Sequence, residues 1–241
     1  MKKNIFLVIF RIISLIVMLV SLFFILKWVK ENNSNKQMQA KLLANVHFDS
    51  ENNFKPNINF DEIIAMNNQT VAWIKVNGTD INYSVVKAND NDFYLNHSFD
   101  KTYNTAGWIF ADYRNKFDGT DKNIIIYGHN RKDGSMFSSL KNTLEDNWQK
   151  DENNLIINLY TPTKNYSYKV FSIYQVPVEG LSLELSFANN NDFSNYLKTL
   201  QNKSIYNFNV NLDGTQSILT LYTCGNNNAY RIILHASLIN D

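Results

Sequence analysis

The chain has 241 residues, 44% of them apolar and 14% aromatic, with a formal net charge of +1 at pH 7. This balance excludes a nucleic-acid binder that relies on bulk positive charge. The single cysteine excludes an internal disulfide, and 8 Gly with 3 Pro exclude a collagenous or low-complexity chain. We expect one globular domain, because the chain after its first thirty residues is long enough for one hydrophobic core.

The first thirty residues have the composition of a membrane anchor. Residues 12–29 are apolar except for two serines and Lys27, and as a helix they would span about 27 Å, close to a hydrocarbon thickness of about 30 Å. A cleaved signal peptide is the alternative, although no small-x-small cleavage site follows the run. We therefore predict that residues 1–30 form a cytoplasmic tip and a single transmembrane anchor. Basic residues flank both ends of the run, so the positive-inside rule only leans toward a body on the extracellular side.

The rest of the chain divides into two parts. Residues 31–59 are polar and rich in Asn, which predicts a tether or an N-terminal helical region, and residues 60–241 carry the patterns of a folded domain. The predicted strands are 71–76, 81–86, 107–111, 123–127, 155–160, 166–176, 217–223 and 231–238. Asn77-Gly78 predicts a hairpin between the first two.

Few helices separate these strands. A short helix is predicted at residues 60–66, a second begins with Ser135 as N-cap and continues to Trp148, and a third covers residues 190–201. Many strands with few, separated helices favour a mostly β barrel or sandwich over an alternating α/β fold.

The end of one predicted strand carries a candidate nucleophile. Period-two alternation places Thr220, Tyr222 and Cys224 on one face, with Cys224 at the strand's end. If the next strand pairs antiparallel, Arg231 lies near Cys224, where a guanidinium favours the thiolate and can bind a substrate carbonyl or oxyanion. From these residues alone, a buried and inert cysteine is the alternative.

A cysteine nucleophile also needs an acid for its leaving group. His129 follows directly after an apolar strand, where loops and sites gather, whereas His235 lies inside the last strand and is expected to be structural. The chain has no cluster of zinc-ligand spacing, no calcium loop and no Gly-rich phosphate loop, so we predict no metal and no cofactor.

The cysteine segment resembles a known family. Thr220-Leu221-Tyr222-Thr223-Cys224 followed by Arg231 is similar to the Thr-Leu-x-Thr-Cys and downstream Arg signature of sortases, the membrane-anchored cysteine transpeptidases of Gram-positive surfaces. The resemblance to class B sortases extends from about residue 60 to the C-terminus. The stretches that carry it are 73–76, 81–83, 94–97, 110–115, 127–130 and 133–137.

The resemblance implies a fold and a reaction. The fold is mostly β, an eight-stranded sortase-type barrel with N-terminal helices and a helix between the sixth and seventh strands. His129, Cys224 and Arg231 would be catalytic: the enzyme would cleave a C-terminal sorting signal after Thr, form a thioacyl-enzyme on Cys224 and transfer the surface protein to a peptidoglycan amine. No cofactor is implied.

The same resemblance places substrate-binding residues at Asn91, Leu95 and Tyr222. Tyr222 occupies the variable position of the cysteine motif, where many relatives have Ser, and this departure bears on any role of a hydroxyl there and on how the groove receives the signal. Asp112 could orient His129, but a structural role, either a strand-end salt bridge with Arg114 or a turn cap, is the interpretation that we favour.

Other functions remain open at this point. A pilin-polymerising sortase would use the same residues with a lysine amine, and an L,D-transpeptidase or another cell-wall cysteine peptidase would act on cross-links instead. A non-enzymatic, surface-tethered domain with an inert Cys224 is the alternative from another class. The expected partners are surface proteins bearing a sorting signal, a peptidoglycan amine and the membrane, without nucleic acid.

Overall fold

The structure is a computed structural model that describes residues 2–47, 56–177, 183–224 and 230–240, with the side chains of these ranges except those of residues 2–4, 224 and 240. The helices are α1 (Lys2–Leu43), α2 (Phe60–Met66), α3 (Asp146–Lys150) and α4 (Asn190–Lys203). Short 3-10 helices cover Phe93–Leu95, Ser138–Leu144 and Glu152–Leu155. The strands are β1 (Val46–His47), β2 (Asn57–Ile58), β3 (Thr70–Val76), β4 (Asn82–Val86), β5 (Phe110–Ala111), β6 (Asn123–His129), β7 (Ile156–Tyr160), β8 (Asn165–Pro177), β9 (Ile218–Cys224) and β10 (Tyr230–Asn240).

Strands β3 to β10 form a closed barrel in the order β10-β8-β7-β3-β4-β5-β6-β9, and β1 pairs with β2 in a separate small sheet. The prediction of a mostly β fold with eight barrel strands is confirmed. Helix α4 lies between β8 and β9, the sixth and seventh strands of the barrel, as the resemblance implied. Within the described strands, β4 with β5 and β6 with β9 pair in parallel, and the other barrel pairs are antiparallel.

The first hairpin shows why this sequence forms strands. Residues 70–76 are rich in β-branched and aromatic side chains, and Trp73 and Ile74 are fully buried. Antiparallel pairing of Trp73 with Ser84 confirms the predicted hairpin. The turn needs glycine, because Gly78 has φ +67° and a Cβ there would collide with the Asn154 side chain.

Helix α4 covers the outside of the barrel. Asn189 caps its first turn by accepting a hydrogen bond from the Asp192 N–H at 3.0 Å. Its buried side chains recur at helical spacing and pack against Phe171 of β8 and Ile218 of β9 in a cluster separate from the barrel interior. The helical side chains of this cluster are Phe193, Leu197 and Leu200.

The predicted helix from Ser135 to Trp148 is wrong as a single element. Ser135 does not cap it, because its hydroxyl and its N–H both donate to Asp133. Met136 then adopts φ +57°, a left-handed conformation that interrupts a helix. A 3-10 helix follows, and the extended backbone of Glu145 separates it from α3.

Helix α1 joins two different environments. Every apolar side chain from Ile5 to Val29 is exposed, and this is the one described helix that is long and apolar enough to cross a membrane. From residue 31 the same helix lies against the barrel, where Asn32, Asn35 and Leu42 are buried. The first part of the region predicted as a tether or helical segment, residues 31–43, is therefore helical and packed against the domain.

Candidate active site

Strands β6 and β9 bring two candidate catalytic residues to one rim of the barrel. They pair in parallel over seven residues, from Asn123 with Ile218 to His129 with Cys224. Parallel strands end at the same edge of a sheet, so the last residues of both strands lie side by side. The backbone therefore places His129 next to Cys224, although they are far apart in the sequence.

Strand β10 adds Arg231 to the same rim. It pairs antiparallel with β9, with Ile233 opposite Tyr222, and this register continued by two residues places Arg231 beside Cys224. Between them, the Thr223 hydroxyl accepts from the Ile232 N–H at 2.8 Å. The predicted approach of Arg231 to Cys224 thus agrees with the register of β9 and β10.

Alternation divides the two parallel strands into two faces. Ile124, Ile126, Leu219 and Leu221 belong to the main core cluster of the barrel. The intervening positions carry His129 on β6, and Tyr222 and Cys224 on β9, on the opposite face. The two candidate catalytic positions on these strands, His129 and Cys224, therefore lie at the rim, on the outer face of the barrel wall.

The imidazole of His129 is held by a backbone carbonyl. His129 is 9% exposed, and its Nε2 lies 2.6 Å from the carbonyl oxygen of Leu95. A carbonyl oxygen only accepts hydrogen bonds, so Nε2 carries a proton in either charge state of the ring. With the hydrogen on Nε2, the acceptor nitrogen of the neutral ring is Nδ1.

Gly107 allows this arrangement. It has φ +60°, and a Cβ at this position would stand 2.5 Å from the Tyr94 carbonyl oxygen, 2.8 Å from that of Leu95 and 3.0 Å from Cδ2 of His129. The backbone can approach the histidine this closely only without a side chain. The role of the Leu95 carbonyl was not predicted, because a backbone oxygen leaves no mark in the residue type, whereas Gly107 is a visible signal.

Asn91 and Asp112 belong to one hydrogen-bonded network beside the rim. The side chain of Asp112 is fully buried and accepts from Arg114 Nε at 2.8 Å and Nη2 at 2.7 Å, from the Tyr127 hydroxyl at 2.9 Å and from Asn91 Nδ2 at 3.0 Å. Asn91 Oδ1 in turn accepts from the Tyr113 N–H. The favoured interpretation of Asp112, a salt bridge with Arg114, is confirmed.

This network sets the charge of Asp112. Burial alone would raise the pKa of the carboxyl, but the hydrogen bonds from Arg114, Tyr127 and Asn91 outweigh it, and the net shift of the pKa is downward. Asp112 is therefore an anion that orients its neighbours. No hydrogen bond between Asp112 and His129 is found among the described side chains.

Tyr222 packs against this network through Tyr127. Their ring centroids are 5.5 Å apart with an interplanar angle of 77°, an edge-to-face contact. Because the two tyrosines are register partners, the contact repeats the pairing of their strands. The ring of Tyr222 lies two residues before Cys224 on the same face and forms part of the surface that leads to the rim.

A buried polar chain crosses the outer face below the rim. Asn123 Nδ2 donates to the Glu184 carbonyl oxygen at 2.8 Å, so Asn123 Oδ1 accepts the proton of the Thr220 hydroxyl at 2.8 Å. That hydroxyl has one proton, hence it accepts from Nδ1–H of His235 at 2.9 Å, and Nε2 accepts from the Tyr174 hydroxyl at 3.0 Å.

In this hydrogen-bonded series, each group has a defined role as donor or acceptor, and the assignment requires a neutral His235. Burial lowers the pKa of His235 to about 3. This is the structural role expected for His235. The hydrogen-bonded series also connects the backbone of residue 184, which precedes α4, to the strands that carry the candidate site.

Comparison with known proteins identifies the family. The family model described as Sortase domain matches residues 74–239. Sortase B of Listeria monocytogenes is 33% identical over 181 residues, 74% of this chain and 73% of that protein. Sortase B of Staphylococcus aureus is 30% identical over 218 residues, 88% of this chain and 86% of that protein. The chain belongs to the class B sortases.

A solved structure supports the same assignment for this sortase. The crystal structure of sortase B from Bacillus anthracis in complex with AAEK1 matches with a TM-score of 0.77 and 29% identity, covering 88% of this chain and all of that one. The chain is thus a sortase transpeptidase with the sortase barrel. Among the described residues, no group of three or more His, Cys, Asp or Glu side chains is arranged to hold a metal ion.

Proposed function

We propose that this sortase is a membrane-anchored cysteine transpeptidase in which Cys224, His129 and Arg231 carry out the reaction. The observation that carries the proposal is the register of three strands, which sets Cys224 between His129 on β6 and Arg231 on β10. Membership of the class B sortases supports the reaction type.

The first half-reaction joins the substrate to the enzyme. The Cys224 thiolate forms a bond to the carbonyl carbon of Thr in a C-terminal sorting signal, and Arg231 stabilises the oxyanion of the tetrahedral intermediate. The C–N bond then breaks, and His129 donates the proton on Nδ1 to the departing amine. The product is a thioester between Cys224 and the N-terminal part of the surface protein.

The second half-reaction releases it. An amine of a peptidoglycan precursor or cross-bridge attacks the thioester carbonyl, Cys224 leaves as thiolate, and Nδ1 of His129 accepts the proton that the amine loses. Bonds and protons balance without a cofactor. The hydrogen bond from Nε2 of His129 to the Leu95 carbonyl oxygen suits this exchange. It fixes the orientation of the ring and therefore the direction in which Nδ1 points.

The membrane part of the proposal rests on α1. Its exposed apolar residues from Ile5 to Val29 would span the bilayer, and the barrel would lie on the extracellular side, where surface proteins and peptidoglycan amines are found. Asn91, Leu95 and Tyr222 would line the substrate groove. Asn91 would act mainly by positioning, since both ends of its amide are bonded to Asp112 and Tyr113.

Intact-mass spectrometry tests the reaction. Full-length protein in detergent is incubated with a pool of sorting-signal peptides, which contain Thr and differ in the residue that follows it. The Cys224→Ala variant is treated in parallel. We expect an adduct with the mass of the peptide up to Thr on the wild type, its absence from the variant and its release by added amine. An adduct that persists in Cys224→Ala would refute the assigned nucleophile.

Histidine variants test the acid. We expect His129→Gln to lower turnover at least about 100-fold, the usual contribution of a general acid or base. The matched control is His47→Gln, because His47 is exposed on the short strand β1, away from the rim. Equal turnover in both variants would remove His129 from the mechanism.

A further inference from the structure

Helix α1 is a rigid connection between the proposed membrane span and the barrel. It is unbroken from Lys2 to Leu43, and residues 5–43 contain neither Pro nor Gly. Without these residues an α-helix has no sequence-encoded kink. The height of the barrel above the membrane is therefore set by the position at which the barrel contacts the helix.

The contact begins immediately after the apolar run. Glu31 accepts from the Thr105 hydroxyl and N–H, and its own carbonyl oxygen accepts from Asn104 Nδ2 at 2.9 Å. One turn later, Asn35 is buried, donates to the Gly107 carbonyl oxygen at 3.3 Å and accepts from Asn104 Nδ2 at 3.1 Å.

These contacts reach the rim that carries His129. Gly107, bonded to Asn35, is the glycine that lies against the His129 ring. Arg131, two residues after His129, donates from Nη2 to Asn32 Oδ1 at 2.6 Å. The helix is thus bonded to the segments on which the histidine rests, and it holds this rim at a defined height.

A lysine and a tyrosine lie together where the apolar run of α1 meets the barrel. Lys27, near the end of the apolar run, places its Nζ 5.6 Å from the ring centroid of Tyr103, and that tyrosine is 58% exposed. Tyr, Trp and Lys are the side chains enriched at the headgroup level of a bilayer. Trp28, also exposed, stands beside them on the helix.

Helix geometry gives the distances. Asn35 is eight positions after Lys27, which is about 12 Å along the axis at 1.5 Å per residue. With Lys27 at the headgroup level, Asn35 and the Gly107 backbone bonded to it lie within roughly two nanometres of the lipid surface even for a tilted helix.

We propose that the 97–105 loop, through Tyr103, contacts the lipid headgroup layer, and that the unbroken α1 thereby holds the His129 rim just above the membrane. The proposal rests on the proposed membrane anchor. The occupant of the exposed Tyr103 surface is the lipid headgroup layer, because the ring lies 5.6 Å from Nζ of Lys27, a cation near the end of the apolar run.

Lipid-depth labelling tests this in the full-length chain. The protein carries Cys224→Ala together with one of three substitutions, Met18→Cys, Tyr103→Cys or Lys41→Cys. The new cysteine is labelled with a fluorophore, and the labelled protein is reconstituted in vesicles of phosphatidylcholine and phosphatidylglycerol. Quenchers are placed either on the lipid headgroup or deep in the acyl chain. Lys41 is the matched control, because it is exposed on the same helix about 21 Å beyond Lys27.

We expect headgroup quenching at position 103 to exceed that at position 41 at least threefold, with deep quenching confined to position 18. Equal headgroup quenching at positions 103 and 41 would overturn the contact. Absence of deep quenching at position 18 would refute the membrane anchor itself, so the two failures are distinguishable.

A linker variant tests the part assigned to the helix. Six Gly-Ser residues inserted between Val29 and Lys30 leave the bonds of residues 31–42 in place but interrupt the continuous helix. We expect headgroup quenching at position 103 to fall at least twofold. Unchanged quenching would overturn the claim that the unbroken helix sets the height.

Discussion

The neutral, buried His235 predicts a specific loss of stability in mild acid. Its pKa in the folded protein is lowered to about 3 by burial, against about 6.5 in an unfolded chain. Between these values the unfolded state binds a proton that the folded state does not, so the free energy of unfolding decreases as the pH falls through this window.

The magnitude follows from linkage. From pH 7 to pH 5, protonation of one unfolded histidine lowers the free energy of unfolding by about 2 kcal/mol. The result hardly depends on the folded pKa, provided that it lies well below 5. Carboxylates with lowered pKa values, such as Asp112 and Asp133, contribute at lower pH, since an unfolded Asp titrates near 3.9.

Urea denaturation at pH 7 and pH 5 measures this effect. The protein used for this measurement is truncated to start at Glu31, so that it keeps the part of α1 that contacts the barrel. It also carries Cys224→Ala to prevent oxidation. His235→Gln removes the titrating group. The decrease in its free energy of unfolding from pH 7 to pH 5 should therefore be about 2 kcal/mol smaller than the decrease in the parent protein. His47→Gln is the control and should follow the parent. Equal losses in the parent and His235→Gln would refute the assignment of a neutral, buried His235.

Two further substitutions test the hydrogen-bonded chain and the support of the histidine. Thr220→Val keeps the shape of the side chain but leaves two buried groups unpaired, so urea denaturation should show a loss of about 2–4 kcal/mol, whereas the exposed Thr199→Val should stay within about 0.5 kcal/mol. Gly107→Ala pushes a Cβ against the Leu95 carbonyl, so the adduct assay should show turnover at least about 10-fold lower. The control is Gly119→Ala, because Gly119 has φ +87° but open space around it. This control should lose about 1 kcal/mol of stability and keep its turnover. A Thr220→Val loss no larger than that of Thr199→Val, or full turnover in Gly107→Ala, would contradict these expectations.

Local pattern predicted most of the barrel. Alternating β-branched and aromatic residues marked all eight barrel strands, and Asn77-Gly78 marked the hairpin. The bounds were less accurate where tertiary pairing decides them. Residues 107–111 were predicted as one strand, but only Phe110–Ala111 find ladder partners, on β4 and β6. Strand β6 continues through Gly128 to His129, because β9 pairs with it to the end.

The candidate site was predicted in part. Residue type and position singled out Cys224 at the end of a strand and His129 just after one, and the spacing of the last two strands predicted the approach of Arg231. Period two assigns a residue to a face but does not name the neighbouring strand, so the parallel pairing of β6 with β9 was beyond local reasoning. The wrong helix at Ser135 has the same origin, since apolar spacing cannot show that Met136 is left-handed.

The parallel pairing of β6 and β9 also has a consequence for how the protein acquires activity. Residues 129 and 224 are 95 positions apart in the sequence, and a parallel pair cannot form by a local turn. Contacts this distant form slowly, because loop closure precedes any gain from pairing. With the roles proposed for Cys224 and His129, a chain still in the process of folding has a thiol without its acid partner, and the pair comes together only when the seventh barrel strand pairs with the fourth.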